Sequence, residues 1–252
     1  MADKNKTAIR WRLWLGLAAL GLGCVASAAT AKKIRKFMVT DPQFALSRNR
    51  TGALTLEGAQ HTSRAKVLRV FASDFGRSIF SIPLAERRRR LLAIDWVEDA
   101  SVSRVWPDRL VVRIQERTPV AFVLFRTGVM SIDANGVLLE TPPQAKFSFP
   151  VLSGISESDS EPVLRERVQS MLRVLTDLGP LAKDISEVNA SDPENVWLVA
   201  QVGGRPVELI MGGENYSRRY QNFLNHYAEI RKRSPQAKTF DLRLDDRIMA
   251  RN

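Results

Sequence analysis

The sequence predicts an α+β protein: a single transmembrane helix, then a domain ordered β-α-α-β-β, then a mixed, β-rich domain with two helices. Three observations carry this. Leu13 to Ala31 holds no charged residue and is flanked by lysines and arginines. Residues 101–117 alternate in polarity with a period of two on either side of Pro107-Asp108, the pattern of a β-hairpin. Beyond residue 120, short apolar runs punctuated by glycine alternate with two long helical stripes. The segments read from these signals are 1–12, 13–31, 32–50, 51–119 and 120–252.

The uncharged segment has 19 residues. At ~1.5 Å per residue it reaches roughly 28 Å, enough for a hydrocarbon core. Two readings fit it. One is an uncleaved anchor over 13–31; the other is a signal peptide cut at Ala26-Ser27-Ala28. The full length of the span favours the anchor. Four basic residues precede it and four follow closely, so loop charge does not set the orientation. Residues 32–50 are basic and polar and read as a juxtamembrane linker.

In the first domain, Ala53 to Glu57 reads as a strand ended by Gly58. Thr62 or Ser63 caps a helix to about Phe75, with Val67, Leu68, Phe71 and Phe75 as its apolar stripe and Gly76 just past its end. Pro83 opens a second helix to about Leu92, with Leu84, Leu91 and Leu92 on one face. Arg87 to Arg90 turn about 100° per residue around that helix and read as a solvated face. In the hairpin, Leu110, Val112 and Ile114 face one way and Val111, Arg113 and Gln115 the other. The same alternation groups Trp106 with Val102, which predicts that Trp106 and Leu110 both anchor the hairpin in the core.

In the second domain, strands are expected over 120–125, 129–132, 137–139, 149–152, 185–189, 196–202, 207–211 and 239–244. Asn135-Gly136 and Gly203-Gly204 are the hairpin turns. Helices are expected from Val163 to Leu178, stopped by Gly179-Pro180, and from Tyr216 to about Arg231. Tyr216, Tyr220, Phe223, Leu224 and Tyr227 form an aromatic stripe on the latter, which reads as core.

Trp96, Val97, Ala100, Val102, Arg104, Trp106, Pro107 and Leu110, followed by Glu116, Arg117, Pro119, Val120 and Ala121, resemble the end of the POTRA domain of the FtsQ/DivIB cell-division family. The carboxyl-terminal Asp241-Leu242-Arg243 is similar to a closing strand of the same family; Leu244 stands where relatives carry tyrosine. The resemblance implies a POTRA domain over 51–119 and an FtsQ-type β domain over 120–252. It also implies a cytoplasmic amino-terminal tail, extracytoplasmic (periplasmic) folded domains, and a place in the inner membrane at the division septum. In relatives the closing strand receives a partner, FtsB. Phe240, Asp241, Leu242, Arg243 and Leu244 are therefore the expected partner-binding residues, toward FtsB/FtsL-like divisome proteins.

Composition narrows the function classes. The formal charge is +11, and residues 1–50 carry +8 of it, ten basic residues against two acidic ones. The excess flanks the apolar segment, as beside anionic inner-membrane lipid, and is not concentrated on a folded domain as in a nucleic-acid binder. One cysteine, Cys24, excludes an internal disulfide framework. No nucleophile elbow, phosphate-cradling loop or His-Glu-x-x-His occurs, so no enzymatic activity, cofactor, metal or small-molecule substrate is expected. Asp95, Glu98 and Asp99 read as a solvated lead-in to the hairpin. Glu116-Arg117 reads equally as an ion pair fixing the domain junction or as surface. Three classes remain: a division scaffold, a POTRA module of outer-membrane assembly or secretion, and an enzyme with an unrecognised site. The second ordinarily carries a large membrane barrel, for which the roughly 130 residues after the POTRA module leave little room.

Overall fold

The computed structural model describes residues 27–142, 146–245 and 247–251. The expected tail 1–12, and the expected membrane span up to residue 26, lie outside them. Among the described residues no helix is long and apolar enough to cross a membrane. The chain divides into two compact units between Gln115 and Glu116.

In the first unit, residues 27–40 form helix α1. The remainder of the expected linker is also folded. Asp41 accepts from the backbone N–H of Gln43 and caps a 3₁₀ turn, Pro42–Phe44. Phe44 and Leu46 are buried because apolar side chains in this stretch reach the core, so 32–50 is not a free linker. Ser78 Oγ donates to the Met38 carbonyl at 2.6 Å, and Leu46 N–H donates to Arg77 at 2.9 Å, which knits the segment to the domain.

Strand β1 (Leu54–Glu57) pairs in parallel with β3 (Arg109–Glu116), and β2 (Val97–Val105) lies on the other side of β3. Gly58 ends β1 at φ +80°; a Cβ there would lie 2.1 Å from the Ile114 carbonyl oxygen, so only glycine fits. Helices α2 (Arg64–Val70) and α3 (Leu84–Leu92) complete the β-α-α-β-β order. Ser63 caps α2, as its side chain accepts from Lys66 N–H. The helix stops at Val70, earlier than the apolar stripe suggests, and Phe71 packs from its C-cap. The core gathers Leu46, Val67, Phe71, Ile79, Leu91, Val97, Leu110, Val112 and Ile114.

Two further expectations fail in this unit. Trp106 is 65% exposed. Strand β2 ends at Val105, so the alternation that pairs Trp106 with Val102 no longer applies at the turn. The arginine run is not a uniform solvated face either. Arg87 is buried and grips Asp74 with two guanidinium nitrogens, one at 2.8 Å. Its pKa is raised, chiefly by that hydrogen bond. Arg88 donates to the Ala100 carbonyl at 2.7 Å and to Asp99 at 2.6 Å, while Arg90 pairs with Glu86. Arg89 is exposed.

In the second unit, the described residues form a nine-stranded sheet. Its strands are β4 (Pro119–Phe125), β5 (Gly128–Asp133), β6 (Leu138–Glu140), β7 (Val151–Ser153), β8 (Ile185–Asn189), β9 (Val196–Val202), β10 (Arg205–Gly212), β11 (Thr239–Asp241) and β12 (Met249–Arg251). Their order across the sheet is β12-β11-β10-β9-β8-β7-β4-β5-β6. Gly136, at φ +82°, closes the β5–β6 hairpin against helix α4 (Glu161–Leu178), where a Cβ would meet Arg165 N at 2.5 Å. Helix α5 (Tyr216–Arg233) contributes Tyr216, Tyr220 and Phe223 to the core. Leu164, Val168, Met171 and Val174 enter it from α4. Arg117 Nη1 pairs with Asp133 at 2.8 Å, an ion pair within the second unit.

Candidate functional site: the carboxyl-terminal sheet edge

The last strands are positioned by a parallel pair. β11 lies beside β10 with Glu208 opposite Thr239, Leu209 opposite Phe240 and Ile210 opposite Asp241. Leu242 N–H extends the ladder by donating to the Ile210 carbonyl at 2.8 Å. The chain then turns back, and β12 pairs antiparallel to β11, with Thr239 opposite Arg251, Phe240 opposite Ala250 and Asp241 opposite Met249.

Of the expected partner-binding residues, the structure buries three. Phe240 packs against Phe223 at 5.0 Å between ring centroids and against Tyr227 at 6.3 Å. Leu242 belongs to the same core. Asp241 is 1% exposed and accepts from Arg243 Nη2 at 2.7 Å, Arg243 Nε at 3.0 Å and Arg251 Nη2 at 2.8 Å. These hydrogen bonds, that of Arg243 first, hold its carboxyl below the usual carboxylate range. Arg243 is thus engaged inside the chain, and its pKa is raised by Asp241. Leu244 is the exposed apolar member, at 47%.

The resemblance makes the closing strand, 239–244, the one expected to receive a partner. In the structure the edge of the sheet is β12, because Met249–Arg251 return to pair alongside β11. All three β12 residues are exposed. Three residues, one of them charged, give no readable period, so β12 escapes sequence analysis. Beside it opens a cleft of about 380 Å³, lined by Arg218, Gln221, Asn222, Leu242, Leu244 and Ile248 among others. Arg219 fixes its rim by donating to the Met211 and Glu214 carbonyls at 2.7 and 2.9 Å and pairing with Asp245 at 3.0 Å. Chemically this is a strand edge beside a groove of mixed character, with Leu242, Leu244 and Ile248 among polar and charged side chains. Among the described residues no three His, Cys, Asp or Glu side chains form a metal-ligand set.

Residues 50–117 match the FtsQ-type POTRA domain family. Cell division protein FtsQ of Koribacter versatilis is 34% identical over 203 residues, which is 78% of this chain and 58% of the relative. FtsQ of Syntrophotalea carbinolica is 25% identical over 98% of this chain and 89% of its own length. FtsQ of Novosphingobium aromaticivorans is 30% identical over 79% and 60%. The chain thus spans less than two thirds of the first and third of these relatives. The extracytoplasmic domain of DivIB from Geobacillus stearothermophilus aligns with 48% of this chain and 97% of its own at 19% identity and TM-score 0.27, too slight a likeness to compare folds. With the POTRA match falling on the β-α-α-β-β unit and the FtsQ matches running beyond it, the chain carries an FtsQ-type POTRA domain and is similar over most of its length to proteins named cell division protein FtsQ.

Proposed function

We propose that this protein is a non-enzymatic, single-pass scaffold of the bacterial divisome that holds an FtsB/FtsL-like partner at the carboxyl-terminal edge of its second sheet. In this reading residues 1–12 are cytoplasmic, 13–31 cross the inner membrane, and the rest acts in the periplasm at the septum. The observation that carries it is β12: a short, exposed strand, last in the sheet order, with no strand on its outer side among the described residues. Unpaired backbone N–H and C=O groups on such an edge accept an added strand. Leu244 and the adjacent cleft supply the side-chain selectivity. Ser27 and Ala28, two of the three residues of the alternative cleavage site, continue into helix α1, as an uninterrupted anchor requires. That favours a retained anchor.

Leu242→Pro is a poor test of docking, because Leu242 N–H already bonds within the sheet. Proline at Met249 and at Ala250, one at a time, is the sharper pair. N–H groups of successive strand residues point to opposite sides, so one of the two variants removes an outward donor. The expected result is that this variant loses capture of an FtsB/FtsL-like protein while its unfolding curve matches wild type. Undiminished capture by both would place docking elsewhere.

A further inference from the structure

Eight large hydrophobic side chains are exposed among the described residues, and four of them gather at one place in the first unit: Ile34 (55%), Phe37 (52%), Val39 (41%) and Trp106 (65%). Buried Phe44 organises them. Its ring meets Phe37 at 5.7 Å, Trp106 at 5.4 Å and Phe80 at 5.3 Å. Phe37 and Trp106 therefore stand one ring apart although 69 positions separate them in the chain. Ile34, Met38 and Val39 line a cleft with Phe80, whose own ring meets Phe44. The hydrogen bond from Ser78 to the Met38 carbonyl ties the end of α1 to the domain, so the patch moves as one body.

We infer that this aromatic patch rests in the headgroup layer of an anionic bilayer and seats the POTRA unit on the membrane, an inference that depends on the anchor reading above. Three features select lipid over a protein partner. Lys32, Lys33, Arg35 and Lys36 are exposed on α1 beside the patch, with no acidic residue between 27 and 40. Lysine is depleted in protein interfaces but drawn to anionic lipid. Trp106 and Phe37 pair an indole and a phenyl ring with these cations, the composition of a membrane–water boundary. The position also fits. Residues 32–37 climb about 9 Å beyond Ala31 in a helix. The headgroup region on each face of a bilayer is roughly 5–8 Å deep, so Ile34 lies within it and Phe37 at its outer margin.

The test uses the full chain in a Cys24→Ser background, reconstituted into vesicles of phosphatidylcholine and phosphatidylglycerol. A fluorophore is attached to one introduced cysteine at a time: Trp106→Cys, Phe37→Cys or, as control, Glu98→Cys. Glu98 is exposed near the opposite end of β2, roughly 25 Å away along the strand. The expectation is that bromine-bearing lipid chains quench the dyes at 37 and 106 several-fold more than the dye at 98, and that aqueous iodide quenches them several-fold less. Adding Trp106→Asp should strip the dye at 37 of its protection while the far-ultraviolet spectrum stays unchanged. Vesicle-bound protein whose dyes at 37 and 106 behave like the dye at 98 would overturn the seat and leave the anchor standing, with a protein becoming the better occupant. Protein that alkaline carbonate strips from the vesicles would overturn both.

Discussion

Arg87 and Arg89 share a helix and a chemistry, yet the fold treats them oppositely. Arg87 is 3% exposed against a carboxylate with no exposure of its own, and Arg89 faces solvent. Breaking a buried pair from one side leaves the other charge uncompensated, which costs about 3–5 kcal/mol. Arg87→Met should therefore lower the unfolding free energy by that amount, whereas Arg89→Ala should change it by less than ~0.5 kcal/mol. Urea titrations of the two variants give both values. No run of four arginines announces which one turns inward, since the deciding partner, Asp74, sits thirteen positions earlier. Leu110, Val112 and Ile114 were legible because a period of two survives as long as the strand does. Trp106 was not, because it lies one residue past the strand, where the turn redirects its side chain. Its truncation to alanine should accordingly cost about 1 kcal/mol or less, the weight of an exposed ring leaning on Phe44, as a thermal melt can show.

Among elements, segments with a period or a turn signal of their own read true, short strands such as β8 at 185–189 included, and β12, which has neither, did not. Helices α4 and α5 fall close to where their stripes and the Gly179-Pro180 stop place them. The Asn135-Gly136 turn closes the hairpin it predicts. The candidate site was legible only as far as β11, because β12 owes its place to pairing and to one ion pair more than to its own composition. That ion pair makes its seating sensitive to acid. Asp241 has a folded pKa below its ordinary value, so its stabilising contribution is full above the ordinary carboxylate range near pH 4. It is lost as pH falls through the depressed folded value. Arg251 is held to β11 by Asp241 at 2.8 Å. Amide hydrogen exchange across β11 and β12 should therefore be slow and nearly constant from pH 7 to about 5, after correction for intrinsic rates, and lose protection below about 4. Asp241→Asn should abolish that pH dependence. An acid response that persists in this variant would assign it to another carboxylate.

Taken as a whole, the molecule concentrates its charge toward the beginning of the sequence. Residues 1–50 hold most of the net charge, and each of the two units carries a hydrophobic core of its own. The single cysteine lies in the apolar segment, so neither core is braced by a disulfide and both must hold by packing alone. Residues 27–31, the end of that segment, are helical and exposed along their length. A helix in lipid must satisfy its own backbone groups and needs no protein to cover its side chains, so this end is compatible with the anchor proposed above. These features converge on one topological prediction. A reporter enzyme that matures only outside the cytoplasm, fused after Asn252, should be active, and the same reporter fused before Met1 should be silent. The membrane-bound protein should retain residues 2–12 when its amino terminus is sequenced. Replacing Leu15 and Leu20 with arginine places two charges inside the span, each costing about 2.5–3.5 kcal/mol on insertion scales, and should release the chain from the membrane fraction or block its export. A mature protein beginning at Ala29 would instead make the apolar segment a leader. The folded units would then be free in the periplasm, and both the scaffold's fixed position and the seat of the aromatic patch would have to be abandoned.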